Sequence, residues 1–440
     1  MVLVKENIIR LCSLPLLLLL SLATFSFAQS PRNIADEGVL LFNSGFEGNT
    51  QWVYSDSQYE GISGVDHTFD GNNNWTRFGS ESASERYLYL GRFQIQYEGG
   101  DSLKRKARLA ADPANPDNTA LYFAIYEPNV TTSTEVPSKS RIQAIVSGGK
   151  PGIYKMYQSV KLYFPSACMN ILKEYQAKIS WFTLAEFWNN NAWGGAINPF
   201  RLSVGMGHEI GSDNPFYFHF STDKYTINDK SQYIATRLEG KANHDFSIPF
   251  DTWLTVEYFY QDGNKTAVEN KDPGHFYMAV TPEGGERVLI FNERIATHHP
   301  DDLNSDGLTN WHPMKLYTNK EIANFMKSRN HPLELYWDDF RLYKDKIPDD
   351  PLLHEALNGA TDIRELNTSR VTVFPQPVGD FLQVHHVNQE QTAMIYDSCA
   401  TVITSVTLHP AASQQIAVSH LPAGLYILKT MDTTTKFIKM

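Results

Sequence analysis

The stretch Leu333-Glu334-Leu335-Tyr336-Trp337-Asp338-Asp339-Phe340-Arg341-Leu342-Tyr343 is the clearest indicator of the fold in this 440-residue chain. An aromatic and apolar run of this kind, bounded by polar turn residues, is typical of a β-strand. Similar runs recur upstream from Val39, for example at 86–90, 140–146 and 178–188, whereas 321–327 is the one convincing short helix. About a dozen strands with almost no helix predict an all-β fold of two packed antiparallel sheets.

The N-terminal 28 residues have the pattern of a secretory signal peptide. Lys5 and Arg10 precede a leucine-rich run that ends in Ser26-Phe27-Ala28, a small-x-small cleavage site. The run is too short to span a bilayer, and no later segment is apolar enough, so we expect no transmembrane segment.

The C-terminal end has a different character. Residues 346–369 are polar and rich in Asp and Pro, which is typical of a linker. Residues 370–440 open with Val373-Phe374-Pro375-Gln376-Pro377, continue through short β-branched segments, and end with Leu421-Pro422-Ala423-Gly424-Leu425-Tyr426 before a basic terminus. This order resembles the C-terminal sorting domain of the Bacteroidetes type IX secretion system, a small β-sandwich. The resemblance implies a secreted or surface-attached protein that interacts with the type IX machinery.

The net charge of the chain restricts the kinds of molecule that it can bind. The net charge is -11, which disfavours nucleic acid because nucleic-acid binding requires a basic surface. A polyanionic substrate would need a local basic groove within the acidic surface. We expect a monomer.

Four motifs in residues 36–345 carry a second resemblance. They are 140–143 (Ser-Arg-Ile-Gln), 185–189 (Ala-Glu-Phe-Trp-Asn), 314–317 (Met-Lys-Leu-Tyr) and 335–340 (Leu-Tyr-Trp-Asp-Asp-Phe). Their order resembles that in the concanavalin-like jelly-roll polysaccharide lyases, the group that includes alginate, glucuronan, heparin and ulvan lyases. The resemblance implies a jelly-roll sandwich whose concave face binds a uronate polysaccharide. The second motif departs from the Gln-x-His of many such enzymes, and the third lacks a glycine between lysine and tyrosine.

A lyase acting on a uronate must neutralise the C5 carboxylate, remove the C5 proton and protonate the leaving oxygen. Arg141 suits the first task, since its fork matches a carboxylate, with Gln143 on the same face of the strand. Tyr317 is the predicted acid, or both acid and base, and Lys315 is expected to lower the pKa of Tyr317. Among His208, His219 and His275, which are candidates to share the role of base, we assign His208 to catalysis.

Substrate-binding residues are predicted at Trp188, Asn189, Trp193, Trp311, His219 and His275.

Resemblance to concanavalin-like domains further implies a structural Ca²⁺ held by Glu47 with Asp338 or Asp339, although the chemistry itself requires no cofactor. Two alternatives stay open: a non-catalytic glycan-binding module, and a glycosidase that uses Glu186 and Glu257 as its carboxylate pair.

Overall fold

The predicted all-β fold is present in the computed structural model of the chain, and the prediction is confirmed. The structure describes residues 37–55, 58–99, 102–131, 137–189, 199–228, 233–263, 274–300, 302, 305–357, 372–374, 378–387, 391–397, 401–409, 411–430 and 434–440. The predicted signal peptide lies outside these residues.

Nineteen strands are present among the described residues that precede the sorting domain. In chain order they are β1 (Val39–Ser44), β2 (Gln51–Val53), β3 (Tyr59–Ser63), β4 (Arg92–Gln96), β5 (Arg105–Ala111), β6 (Thr119–Ile125), β7 (Val130–Thr131), β8 (Pro137–Ser147), β9 (Lys155–Tyr163), β10 (Phe182–Asn189), β11 (Phe200–His208), β12 (Phe216–Ile227), β13 (Tyr233–Asn243), β14 (Leu254–Gln261), β15 (Gly274–Pro282), β16 (Val288–Ile295), β17 (Leu308–His312), β18 (Lys315–Asn319) and β19 (Leu333–Lys344).

These strands form two sheets. An eight-stranded sheet has the order β16-β15-β14-β9-β19-β6-β5, with β1 paired to β19. An eleven-stranded sheet has the order β13-β12-β11-β10-β17-β8-β4-β3-β2, where β18 pairs with both β10 and β8, and β7 pairs with β8. Every pairing between the strands of these two sheets is antiparallel. The aromatic strand β19 lies inside the eight-stranded sheet, between β9 and β6.

One hydrophobic core fills the space between the two sheets. Alternate residues of β11 and β12, such as Leu202, Val204 and Phe218, face this core, as do Tyr258 and Phe276 of the opposite sheet. Each such side chain contributes about 1.5–3 kcal/mol by leaving water. Because successive side chains in a strand point to opposite faces, the residues between these core positions lie on the outer face of each sheet.

Within the described residues up to the end of β19, three helices accompany the strands: α1 (Trp75–Phe78), α2 (Ser166–Leu172) and α3 (Lys320–Ser328). The predicted helix at 321–327 is α3, whose first turn is capped by the Asn319 side chain accepting from the Ile322 amide at 3.0 Å. The strand predicted at 86–90 is wrong, because these residues form turns in which Tyr89 has a φ of 71°.

The predicted linker begins as an ordered segment. Residues 351–357 are helical, and Leu353 is fully buried against Phe259 and Tyr277 on the outer face of the eight-stranded sheet. Asp350 accepts from Arg287 Nη1 at 2.7 Å. The rest of the predicted linker, from residue 358, lies outside the described residues.

The C-terminal region forms its own small sandwich. A three-stranded sheet contains β20 (Thr372–Phe374), β21 (Phe381–Val387) and β24 (Ala411–Ala417), and a four-stranded sheet contains β22 (Gln391–Tyr396), β23 (Val402–Leu408), β25 (Gly424–Lys429) and β26 (Thr434–Lys439). A separate core of buried residues lies within it, including Leu382, Ile395 and Phe437. Of the helices in the described part of the chain, none is long and apolar enough to cross a membrane.

Candidate active site

The predicted site residues Arg141 and Tyr317 lie side by side on the outer face of the eleven-stranded sheet. They are register partners on β8 and β18, and the Arg141 guanidinium carbon lies 4.9 Å from the centroid of the Tyr317 ring. Asn129 holds the backbone of Arg141 in place, since its amide oxygen accepts from the Arg141 amide at 2.9 Å and its amide nitrogen donates to the Arg141 carbonyl at 3.0 Å. Arg141 also pairs with Glu98.

The site is recessed. Tyr317 is 5% exposed and the Arg141 side chain 14% exposed. The edge of Trp181 packs against the Tyr317 ring with centroids 4.9 Å apart. Among the described residues, the Tyr317 hydroxyl makes no hydrogen bond, so it is available to a ligand.

The predicted effect of Lys315 on Tyr317 is wrong. Burial raises the pKa of Tyr317; Arg141 and Arg201 oppose this rise, and Lys315 is not among the causes. Lys315 lies over the ring, with Nζ 4.7 Å from its centroid, but its ammonium group is directed to a carboxylate. Tyr317 therefore keeps its proton at neutral pH.

That carboxylate belongs to Glu186, which a bulge places on the outer face. The register of β10 against β11 shifts between Thr183 and Ala185, so Glu186 follows two core-facing residues and points outward with Thr183. Lys315 Nζ donates to Glu186 Oε2 at 2.5 Å, and Trp188 Nε1 donates to the same oxygen at 3.1 Å. Glu186 is 1% exposed and Lys315 is fully buried.

His312 completes this cluster. Its Nδ1 lies 3.2 Å from Glu186 Oε2 and 3.2 Å from Lys315 Nζ. Burial lowers the pKa of His312 to about 3, with Lys315 adding to this effect. His312 is therefore neutral at neutral pH and has one nitrogen that can accept a proton.

The ionisation of Glu186 and Lys315 is coupled. Burial opposes ionisation of Glu186, but Lys315, the His312 hydrogen bond and Arg201 together hold the Glu186 pKa well below its usual value. Burial lowers the pKa of Lys315 to about 7, against the opposing effect of Glu186. A lysine that exchanges its proton near neutral pH, next to a fixed carboxylate, is typical of functional sites.

Arg201 and two aromatic rings form one wall beyond Glu186. The Arg201 guanidinium lies between Trp188 and Tyr225, at 5.5 Å and 5.4 Å from their ring centroids. Arg201 Nη2 donates to Asp223 at 2.8 Å and Nη1 lies 3.6 Å from Glu186 Oε1. The predicted substrate-binding residue Trp188 is thus part of the site wall.

A row of polar side chains forms the opposite wall. Gln143 Nε2 donates to Gln96 Oε1 at 2.5 Å, and Gln96 Nε2 donates to the Tyr59 hydroxyl at 3.0 Å. Four buried polar atoms of the whole cluster have no hydrogen-bond partner among the described residues: Arg141 Nε, Gln143 Oε1, Glu186 Oε1 and Arg201 Nε. Because buried polar atoms are nearly always bonded, such a concentration indicates a site that a polar ligand completes.

His312 and Arg201 were not predicted from the sequence. His312 stands three residues before Lys315, across the break between β17 and β18, so the two-residue alternation does not connect them. Arg201 is recognisable by that alternation, since it precedes Leu202 and Val204 of the core, but nothing in the sequence indicates that β11 lies beside β10.

Three predicted residues lie elsewhere, and these predictions are wrong. His208 is fully buried at the end of β11 because it shares the core-facing parity of Met206, and its ring centroid lies 4.5 Å from that of Phe216. His275 and Glu257 lie on the outer face of the eight-stranded sheet, where His275 bonds Asn292 at 2.6 Å and Glu257 bonds Arg287 at 2.5 Å. Glu257 and Glu186 are thus separated by the core, which removes the glycosidase pair.

Two further substrate-binding predictions are wrong. Trp311 is fully buried in the hydrophobic core. Asn189 is also buried, with its side chain donating to Ser305 rather than facing the site. Trp193 lies outside the described residues. His219 lies on the same face as Tyr317, but three strands away.

The predicted calcium ligands Glu47, Asp338 and Asp339 lie close enough for their charges to interact. Burial and repulsion from neighbouring carboxylates raise the pKa of Glu47 to about 8 and that of Asp338 to about 7. Asp339 pairs with Lys161 at 2.7 Å. Among the described residues, no group of three or more His, Cys, Asp or Glu side chains is arranged to hold a metal ion. The calcium ion therefore stays a prediction.

Comparison with protein-family models identifies the C-terminal region. Residues 372–440 match the model described as a secretion system C-terminal sorting domain. The predicted sorting domain is confirmed, and the protein is secreted or attached to the cell surface. No curated protein matches the chain significantly.

Several solved structures resemble the chain at low identity. The PL-14 alginate lyase from Aplysia kurodai is 11% identical, with 54% of this chain and 87% of that chain covered and a TM-score of 0.35. A variant of the alginate lyase Aly36B in complex with an alginate tetrasaccharide is 12% identical, with 52% and 82% covered and a TM-score of 0.30. The binding domain of botulinum neurotoxin serotype G is 11% identical, with 79% and 65% covered and a TM-score of 0.26.

Proposed function

We propose that the protein is a secreted polysaccharide lyase that cleaves a uronic-acid-containing glycan by β-elimination. The observation that supports this proposal is the convergence of Arg141, Tyr317, Glu186, Lys315 and His312 on one outer face. Together they supply a cation for a carboxylate, a proton donor and a proton acceptor, which are the three groups that elimination from a uronate requires.

Arg141 neutralises the C5 carboxylate of the sugar. The Arg141 side chain is 14% exposed, and its Nε has no hydrogen-bond partner among the described residues. A guanidinium that binds a carboxylate in two bonds withdraws negative charge from it. The C5 proton then becomes acidic enough to remove, because the charge that develops in the transition state is stabilised.

Tyr317 protonates the leaving oxygen at C4. A tyrosine whose pKa is raised by burial keeps its proton at neutral pH, so it suits the role of acid rather than that of base. Arg141 lies beside its ring and stabilises the phenolate that forms when the proton leaves.

His312 accepts the C5 proton; burial and Lys315 lower its pKa, and the adjacent Glu186 carboxylate opposes this lowering by stabilising the protonated ring. When Nδ1–H donates to Glu186, Nε2 is the unprotonated nitrogen. Glu186 orients the imidazole and stabilises the imidazolium, as the carboxylate of a catalytic triad does. Lys315 compensates the charge of Glu186 in the absence of substrate.

The test is product formation by the purified full chain on alginate, glucuronan, ulvan and glycosaminoglycans. Elimination creates an unsaturated uronate, which absorbs in the ultraviolet, whereas hydrolysis creates reducing ends without that absorbance. We expect absorbance to appear with at least one of these glycans. Reducing ends alone, or retention on immobilised glycan without products, would refute elimination, and the latter would identify a glycan-binding module.

Variants assign the roles. Tyr317→Phe removes one hydroxyl and should lower kcat by about 100-fold or more, the usual contribution of a general acid. Tyr343→Phe is the matched control, since Tyr343 packs on Tyr157 of the eight-stranded sheet, with centroids 5.7 Å apart. His312→Asn should give a comparable loss. Full activity in either site variant would remove that residue from the mechanism.

A further inference from the structure

A second depression lies on the outer face of the eleven-stranded sheet, away from the candidate active site. Its volume is about 300 Å³, and His219, Arg237, Ser180, Gly240 and Ala242 are among the residues that line it. None of the roles proposed above uses this depression.

A single cross-strand row connects it to Tyr317. Tyr317 is the register partner of Thr183, Thr183 of Gly205, Gly205 of His219, and His219 of Ala242. Neighbouring strands are about 4.8 Å apart, so His219 lies roughly 14 Å from Tyr317 along the sheet. The two positions between them, Thr183 and Gly205, have small side chains, which leaves a path along the row that a few sugars can span.

Two glycines of β11 shape the floor of the depression. The side chains of Tyr217 and His219 lean over Gly207 and Gly205, their partners in the register. A Cβ at Gly207 would lie 2.6 Å from the Tyr217 ring, and one at Gly205 would lie 3.0 Å from the His219 ring. Only glycine therefore allows these rings to lie against the strand. His244 covers the Tyr217 ring, with centroids 4.1 Å apart, so the partly exposed His219 ring is the surface that suits a sugar ring.

The polar groups of the depression suit an anion. The Arg237 side chain is 62% exposed, and its Nε donates to Asp223 at 2.8 Å. Its Nη1 lies over Gly240, 3.4 Å from where a Cβ would be. His219 Nε2 is buried and has no hydrogen-bond partner among the described residues. Lys241 also lines the depression, and its Nζ pairs with Glu293 of the eight-stranded sheet.

We propose that this depression is a second subsite, which binds the carboxylate or sulfate ester of a sugar several units away from the cleavage point. The sugar ring packs on His219, and Arg237 binds its anionic group. This inference rests on the proposed function, because it assigns the subsite to the same glycan.

The experiment compares Arg237→Gln with Arg329→Gln in the full chain. Both changes remove the charge of an exposed arginine that pairs with a carboxylate, but Arg329 pairs with Glu174 and does not line the depression. For the glycan that the wild type cleaves, KM is measured with the shortest cleaved oligosaccharide and with longer ones. Arg237→Gln should raise KM for long oligosaccharides about tenfold more than for the shortest, the effect of losing one charged hydrogen bond. Arg329→Gln should leave the ratio of the two KM values unchanged.

An equal effect of the two variants, or an equal effect on short and long oligosaccharides, would overturn the subsite. Sulfated and desulfated forms of the polymer distinguish the two anions. If the wild type cleaves none of the glycans, the proposed function fails, and the subsite is judged by affinity electrophoresis in gels that contain alginate or ulvan. Retardation that Arg237→Gln loses and Arg329→Gln keeps would support it, whereas equal retardation of both, or none, would overturn it.

Discussion

Replacing Glu186 by glutamine should destabilise the two-sheet domain most at low pH, because this carboxylate compensates the charge of Lys315. The side chains are 1% and 0% exposed, and the charged atoms are 2.5 Å apart. Removing one member of a buried ion pair costs about 3–5 kcal/mol when the other must remain charged. Lys315 avoids part of this cost by releasing its proton, since burial lowers its pKa to about 7 even in the presence of Glu186.

The sign and size of the pH dependence follow from this proton. Between pH 5 and 7 the folded wild type keeps the proton on Lys315, the folded variant has lost it, and both unfolded chains hold it. Each pH unit below 7 therefore costs the variant about 1.4 kcal/mol more than the wild type. The loss of unfolding free energy should be about 3 kcal/mol greater at pH 5 than at pH 7, and constant from pH 7 to 8.

Urea unfolding of the full chain, followed by tryptophan fluorescence at pH 5, 6, 7 and 8, measures this difference. The double variant Glu186→Gln/Lys315→Met is the control, and it should be more stable at pH 5 than Glu186→Gln alone, because no buried amine has to lose its proton. A penalty that is the same at pH 5 and pH 7 would show that Glu186 does not carry the charge of Lys315.

Three further predictions concern other parts of the molecule. Trp311→Ala should cost about 3–5 kcal/mol of unfolding free energy, since the ring is fully buried, whereas Trp188→Ala should mainly weaken glycan binding; equal stability losses would contradict this division. Glu47→Gln should raise Tm relative to wild type at pH 8 but hardly at pH 5. Burial raises the Glu47 pKa to about 8, so from pH 5 to pH 8 the unfolded wild type loses this proton while the folded chain keeps it, and the fold loses stability. An unchanged Tm at pH 8 would contradict this. Arg287→Ala should make the segment around residues 350–357 more susceptible to limited proteolysis, since Arg287 anchors Asp350 at 2.7 Å; unchanged cleavage kinetics would show that the apolar contacts of Leu353 suffice.

The alternation of strand residues explains which parts of the site could be predicted. Arg141 with Gln143, and Lys315 with Tyr317, are two residues apart within regular strands, so their common face follows from the sequence. The same rule places His208 with the core residues, so its assignment to catalysis, which rested on residue type alone, is wrong.

Pairing between distant strands is not encoded in local periodicity. β10 pairs with β11 on one side and with β17 on the other, which brings Arg201 and His312 to Glu186. These pairings depend on the topology of the whole sheet. The bulge at 184–185, which turns Glu186 outward, likewise has no sequence signal as clear as a glycine or proline. Glu257 and His275 were correctly outward-facing residues, but on the other sheet.

A chain of net charge -11 would repel the polyanionic substrate of the proposed reaction, so the local charges of the site decide how such a substrate binds. Arg141, Arg201, Arg237 and Lys315 are each close to a carboxylate, namely Glu98, Glu186 or Asp223. These cations are thus largely compensated, and long-range attraction of a polyanion by the site is weak. Affinity must arise from short, directional bonds, for which the unpartnered Nε atoms of Arg141 and Arg201 are available. A site of this kind selects a carboxylate by its geometry once the glycan has docked, and lowering the salt concentration should therefore change its association rate little.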